Sequence, residues 1–186
     1  MLSAVALAAA VAISGSGGGG GLSPSAKLGA LKCANPKLPS SILAGANAAV
    51  TDALSADPLP VVTVDGANAP LTLAVASDLD TRNQGLMCVT ALRPDAGMLF
   101  VFARSQDWDF WMKDTVVSLD MIWVETSGTV THVAENVPAA TLTTPDNRVA
   151  HRIGRGKYVI ELRAGAAAQS GIAVGTHLHI PALPAQ

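Results

Sequence analysis

Residues 97–124, GMLFVFARSQDWDFWMKDTVVSLDMIWV, hold every tryptophan and every phenylalanine of a chain that is only 4% aromatic. Three of the five methionines lie there too. Large aromatic side chains dominate burial energetics, so any core must be assembled around this run. The pattern inside it is that of strands. In Leu119–Val124 strict alternation puts Leu119, Met121 and Trp123 on one face and Asp120, Ile122 and Val124 on the other.

The same short-period pattern extends in both directions from the aromatic run. Val61–Val64 ends at the hairpin dipeptide Asp65-Gly66, and Leu71–Ala76 follows Pro70. Ser77, with an acidic residue three positions on, reads as the N-cap of a short helix running through Arg82 to about Met87. Strands are expected near Met98–Phe102, Trp108–Met112, Leu119–Val124, Thr129–Ala134 and Tyr158–Leu162, with a short helix over Ala164–Ser170 and a closing strand over His177–Ile180. Strands at this spacing predict a mostly β domain, a compact β-sandwich or jelly-roll-like barrel with short helical insertions.

The N-terminal third has a different character. Residues 2–13 are uninterrupted and apolar, too short for a spanning helix, which needs roughly 20 residues, but suited to a secretory signal. No Lys or Arg precedes them, so the α-amino group alone supplies the positive end. Gly17–Gly21 is linker composition, not a phosphate loop, since no Gly-Lys-Ser/Thr follows. The run Ala30-Leu31-Lys32 before Cys33 does not suit a lipid anchor. Residues 38–56 carry Ile42, Leu43, Ala46, Val50 and Leu54 at helical spacing and predict a marginal helix weakened by Gly45. The expected organisation is a signal-like segment and linker over 1–21, an extension over 22–58, the β domain over 59–181 and a tail over 182–186. The expected location is outside the cytoplasm, periplasmic or extracellular, with no spanning segment in the mature chain.

The β domain resembles a known family. Arg82-Asn83-Gln84-Gly85-Leu86-Met87, Gly97-Met98-Leu99-Phe100, Phe110-Trp111-Met112-Lys113-Asp114-Thr115, Leu119-Asp120-Met121-Ile122 and Val159-Ile160-Glu161-Leu162, in this order, resemble the motifs of the DUF192 family. Its members are small, often exported prokaryotic proteins without an established activity. The resemblance covers about 59–181 and implies a compact, mostly β fold; it implies no reaction. Three positions depart from the family pattern. Val89 stands where a basic residue is usual, Asp114 where Asn is usual, and Ser118 where Pro is frequent.

Few residues suggest chemistry. Asp120 and Glu161 are carboxylates within apolar strands and need partners if buried, because an unpaired buried charge is very costly. Arg82, Lys113 and Arg163 are the cations at hand, and the expectation is a network in which Arg82 and Lys113 meet Asp120 and Glu161. Such a network either fixes strand register or floors a polar pocket beneath Trp111 that binds a small molecule. Met87, Met98, Met112 and Met121 read as core rather than as ligands for copper. His177 and His179 share a strand face, lack a third ligand nearby, and read as solvent-exposed; His132 and His151 cannot be placed. Cys33 and Cys88, the only cysteines, form a disulfide or remain two free thiols. No cofactor or metal site is expected.

The net charge of −2, with Lys and Arg scattered singly, argues against a nucleic-acid surface. The reading is therefore a non-enzymatic binding or envelope-associated module for a small ligand or protein partner. The alternative is a hydrolase or carbohydrate-active enzyme using Asp120 and Glu161 as acid and base. The two diverge on whether these carboxylates open to one cleft, about 5–10 Å apart.

Overall fold

In the computed structural model, which describes residues 38–44, 58–65 and 68–183, the alternating segments become six strands of one sheet. The strands are β1 (Val61–Asp65), β2 (Pro70–Ala76), β3 (Ala96–Trp111), β4 (Leu119–Val124), β5 (Val130–Val137) and β6 (His151–Arg163). Their order is β1-β2-β3-β6-β4-β5. All described residues lie in a unit spanning Cys33–Gln186. The mostly β class expected from the sequence is observed, with two short α-helices among the described residues, α1 (Leu79–Gln84) and α2 (Ala166–Gln169). The sheet does not close into a barrel.

β2 and β3 run parallel and the other neighbouring strands antiparallel. A parallel pair needs a long crossover, and the chain between β2 and β3 provides it, carrying α1 on the way. The cap of α1 is Asp78 rather than Ser77: the Asp78 carboxylate accepts the Thr81 N–H at 2.8 Å. Ser77 serves through its carbonyl instead, which accepts from Arg82. The helix stops at Gly85, whose φ of 47° is in the range that favours glycine.

Alternation along the strands divides the apolar side chains between two clusters. One contains Met98, Phe100, Met112, Leu119, Met121, Trp123 and Val159, together with Leu38, Ile42 and Leu43 from ahead of the strands. The other contains Val62, Val64, Leu73, Leu99, Ile122, Val124, Val130, Ile160 and Leu162. Val64 of one edge strand and Val130 of the other share this second cluster, so the sheet curls around it. The expected closing strand near His177 is reduced to two isolated bridges, His179 to Asp65 and His177 to Thr129, which touch the chain at both edges. Ser40–Ile42 forms a 3-10 turn. The helix expected over 38–56 does not continue from there, because Leu43 is extended and bridges Leu92; residues 45–56, like the apolar leader, the glycine run and Cys33, lie outside the described residues.

The expected separate strands Met98–Phe102 and Trp108–Met112 are one strand with a break in register. On β3, Val101 faces Tyr158 and Gln106 faces Gly156, so four residues of β3 oppose one of β6. The long β3–β6 ribbon bends there. Phe100 and Phe110 face Val159 and Arg152, seven residues apart along β6, which on a straight strand would separate them by roughly 23 Å. Their ring centroids are 4.9 Å apart. The outer arm therefore folds back over the first cluster. Trp108 stacks on Phe102 at 3.7 Å and donates its indole N–H to the Gly156 carbonyl at 3.0 Å. Gly154 meets the buried Trp123 so closely that a Cβ there would lie 2.4 Å from the indole.

That contact yields a test. In G154A the rigid indole of Trp123 must move or the arm must lift, and overpacking of this kind costs typically about 1–3 kcal/mol. Urea unfolding of the full chain should show a loss of that size, with an altered near-ultraviolet aromatic signal. Unchanged stability would contradict the folded-back arm.

Candidate functional site

The fold-back creates a pocket. The folded arm contributes Phe110, Trp111 and Lys113, the helix end contributes Arg82, Asn83, Gln84 and Gly85, and the sheet beneath contributes Phe100 and Glu161; Leu86, Met87 and Thr115 complete it. The cavity measures about 40 Å³. One water needs roughly 10–15 Å³ by this measure, so the space accommodates the tip of a ligand rather than a whole sugar ring. Trp111, 44% exposed, stands at the surface of this site.

Four of the five expected site residues, Arg82, Trp111, Lys113 and Glu161, line this one pocket. The fifth, Asp120, does not. Met121 lies directly opposite Glu161 across β4 and β6, and so shares its face; Asp120, one residue away, points to the other side of the sheet. There Asp120 accepts the backbone N–H groups of Asn136 at 2.8 Å and of Ala167, in α2, at 2.9 Å. The expected ion-pair network is not formed. Lys113 pairs with Asp146 in the loop before β6. Arg82 donates to the carbonyls of Ser77 and, at 3.0 Å, Val101, and its guanidinium lies 5.2 Å from the centroid of the Phe102 ring. Arg163 donates to Gln169 at 2.8 Å. Asp120 thus satisfies its charge with backbone amides, and the two cations are engaged elsewhere.

Glu161 has no such arrangement. It is 5% exposed, lies between Met98 and Met121 on the neighbouring strands, and receives no hydrogen bond from any described residue. Burial alone pushes its carboxyl from an ordinary value of 4.5 up to about 8. At neutral pH it is a protonated acid. Lys113 is the opposite case: its hydrogen bond to Asp146, followed by the charges of Asp146 and Asp114, raises its pKa above the usual ammonium value.

The remaining sequence candidates fall outside the pocket or at its margin. Met98, Met112 and Met121 are fully buried in the first cluster, while Met87 is half-buried and lines the pocket. His177 and His179 are exposed, as expected. His151 is exposed and contacts Asp109 at 3.1 Å, and the His132 ring lies 5.2 Å from that of Trp123. Among the described residues no three His, Cys, Asp or Glu side chains gather as metal ligands. Cys88 has a φ of 65° and donates its backbone N–H to the Asp114 carbonyl at 2.8 Å; its expected partner Cys33 is outside the described residues. Asn83, Gln84 and Phe100 lie in the family-like motifs but were not singled out as site residues. Asp146, the partner of Lys113, sits in a loop 33 positions away with no spacing that could reveal it.

Residues 60–180 match the profile of the DUF192 family, described as "Uncharacterized ACR". Two solved structures are similar. A candidate transcription regulator from Sinorhizobium meliloti 1021 is 31% identical, with 65% of this chain and 94% of that chain covered and a TM-score of 0.57. A protein of unknown function from Novosphingobium aromaticivorans DSM 12444 is 27% identical, with 67% of this chain and 89% of that chain covered and a TM-score of 0.55. Among curated proteins none matches the chain.

The buried acid makes stability depend on pH with a definite sign. The folded state keeps the Glu161 proton between about pH 4.5 and about 8, where the unfolded chain has lost it. This contribution is complete below about 4.5 and is lost as pH rises to about 8. At about 1.4 kcal/mol per pH unit the total is several kcal/mol. Between pH 5 and 8.5, urea unfolding of the wild-type full chain should fall by that order relative to E161Q, whose amide does not titrate. Parallel pH profiles for the two proteins would show that Glu161 ionises normally in the fold.

Proposed function

The chain belongs to the DUF192 family, and from that premise and the geometry of its pocket we propose a non-enzymatic binding module that takes up one small group of a ligand beside Trp111. The observation that carries the reading is a single unpaired carboxyl at a pocket whose mouth holds a half-exposed tryptophan. Aromatic surface beside a few convergent polar groups is the ordinary composition of a small-molecule site. Against the acid–base alternative stands Asp120, which faces the opposite side of the sheet and is occupied by two backbone amides. Asp120 therefore cannot serve as the second carboxylate beside Glu161 in that mechanism.

The apolar run of residues 2–13 supports the proposal that the module acts outside the cytoplasm, in the periplasm or beyond, on a small molecule or an envelope protein. We do not extend to this chain the description of the Sinorhizobium relative, because its 12 Lys and Arg are scattered and outnumbered by 14 Asp and Glu. A Cys33–Cys88 disulfide belongs with the exported reading. The full chain, denatured without reductant after isolation from an oxidising compartment, should then show no free thiol; two titratable thiols would refute the bridge.

Binding is tested by heteronuclear NMR of the full chain against a small-molecule library. Perturbed signals should be confined to the Trp111 indole and the backbone of residues 82–87, 111–115 and 161. W111A should weaken any such ligand at least about fivefold, the scale of one lost aromatic contact. A library without effect at these residues, or with effects only elsewhere, would overturn the reading.

A further inference from the structure

We infer that the group this pocket accepts is a primary alkylammonium, seated on the Glu161 carboxylate and walled by the rings of Phe100, Phe110 and Trp111. The inference rests on the pocket being a ligand site, as proposed above, and adds the chemistry of what enters it. Three aromatic rings and one carboxyl line a cavity of about 40 Å³, with Arg82 and Lys113 also in its wall. Ring faces attract cations electrostatically, and a carboxylate accepts the hydrogen bonds an ammonium donates. The volume admits an ammonium head with its first methylenes and little more. A divalent metal is a poor fit: calcium takes six to eight oxygen ligands, and no three acidic, His or Cys side chains converge anywhere among the described residues.

The charged groups nearest Glu161 in sequence and in the pocket wall each have a contact of their own. Arg82, on α1, is held by the Ser77 and Val101 carbonyls and the Phe102 ring. Lys113, after β3, is paired with Asp146 and lies in the field of Asp114. Arg163, two residues along β6, is bonded to Gln169. On the flanking strands the residues opposite Glu161 are the uncharged Met98 and Met121. Neither an arginine nor the lysine contributes to the carboxyl's shift, which burial alone produces. Of the two pocket cations Lys113 is thus paired with a carboxylate, Arg82 keeps its charge while donating to two carbonyls, and the acid is the pocket group that receives no hydrogen bond from a described residue. An anion would find its charge either at Arg82, part of whose hydrogen-bonding capacity is taken by two carbonyls, or by displacing Asp146 from Lys113. An ammonium needs only the departure of the Glu161 proton to solvent, after which one negative and one positive charge face each other.

Protonation gives the two ligand charges opposite pH dependence. Titrations of the full chain with n-butylammonium, n-butanol and butyrate at pH 6 and pH 9, read by calorimetry and by the NMR signals of the pocket, separate them. With the carboxyl at about 8, ammonium binding should tighten roughly a hundredfold from pH 6 to 9. At pH 7 close to one proton should be released per ligand, seen as a heat that varies with buffer ionisation enthalpy. E161Q, neutral at both pH values, should lose the affinity and the pH dependence together. Nα-acetyl-lysinamide in the same titration tells a peptide-borne amine from a free one, the tighter of the two identifying the source. Butyrate binding that weakens with pH, or butanol binding as well as butylammonium, would overturn the ammonium inference and leave the pocket reading intact. Failure of all these probes, while a library compound still perturbs Trp111, would do the same. Silence from every compound would sink both.

Discussion

The contact between Gly154 and the indole of Trp123 is the constraint on which the site depends. Trp123 is buried in β4, between β6 and the edge strand β5, and its ring lies against the part of β6 that folds over it. With Gly154 at that point, β6 crosses the indole at a distance no side chain allows. The four-residue mismatch in β3 supplies the bend, and the stacked pair Phe102–Trp108 and the edge-on pair Phe110–Trp123 hold the arm down. Without the fold-back, Trp111 and Lys113 would extend away from the sheet, and Glu161 would lie on an open apolar surface instead of at a pocket.

Asp120 and Glu161 show two solutions to the same physical problem. Both are carboxyls on adjacent central strands, both are buried, and they occupy opposite faces. Asp120 has two backbone N–H groups aimed at it, one from Asn136 at the register break in β5 and one from α2, and it ties that helix to the sheet. Glu161 has hydrophobic neighbours, no donor among the described residues, and a raised pKa. A fold that needed only to satisfy buried groups has no reason to leave a carboxyl among methionines. Structural ion pairs perturb pKa values as well, but this perturbation has no partner to explain it.

Much of this was legible in the sequence, and what was not has a common cause. Period-two alternation assigned Asp120 and Glu161 correctly to strands and to faces within each strand, because side-chain direction along a strand is local. It could not say which face of β4 matched which face of β6, since that depends on register: Met121 opposite Glu161 places the carboxylates on opposite sides. The network with Arg82 and Lys113 failed for the same reason, compounded by Asp146, an exposed loop acid that reaches Lys113 only in three dimensions. The helix cap slipped by one residue because Ser77 and Asp78 are both good caps, and the choice fell to the one whose neighbour's carbonyl was wanted by Arg82. The break in β3 had no local signal beyond Gly156, which flanks it in β6.

The departures from the family pattern take on meaning from the same geometry. Val89 lies in the first apolar cluster, 3% exposed, so a basic residue there would have to reach out of the core. Ser118 accepts the Ala139 N–H at 3.3 Å, a local contact away from the pocket. Asp114 has a φ of 51°, a conformation that Asn and Asp tolerate better than other side chains, so the backbone is served by either. The difference is charge. With Asp114 beside it and Asp146 in contact, Lys113 faces two carboxylates where an asparagine would leave it one. The rim of this pocket is therefore less positive than the usual family sequence would make it, and the potential at Glu161 is correspondingly more favourable to a cation. A substitution that leaves the backbone undisturbed while changing the charge of the pocket mouth acts on what the pocket admits rather than on how the chain folds.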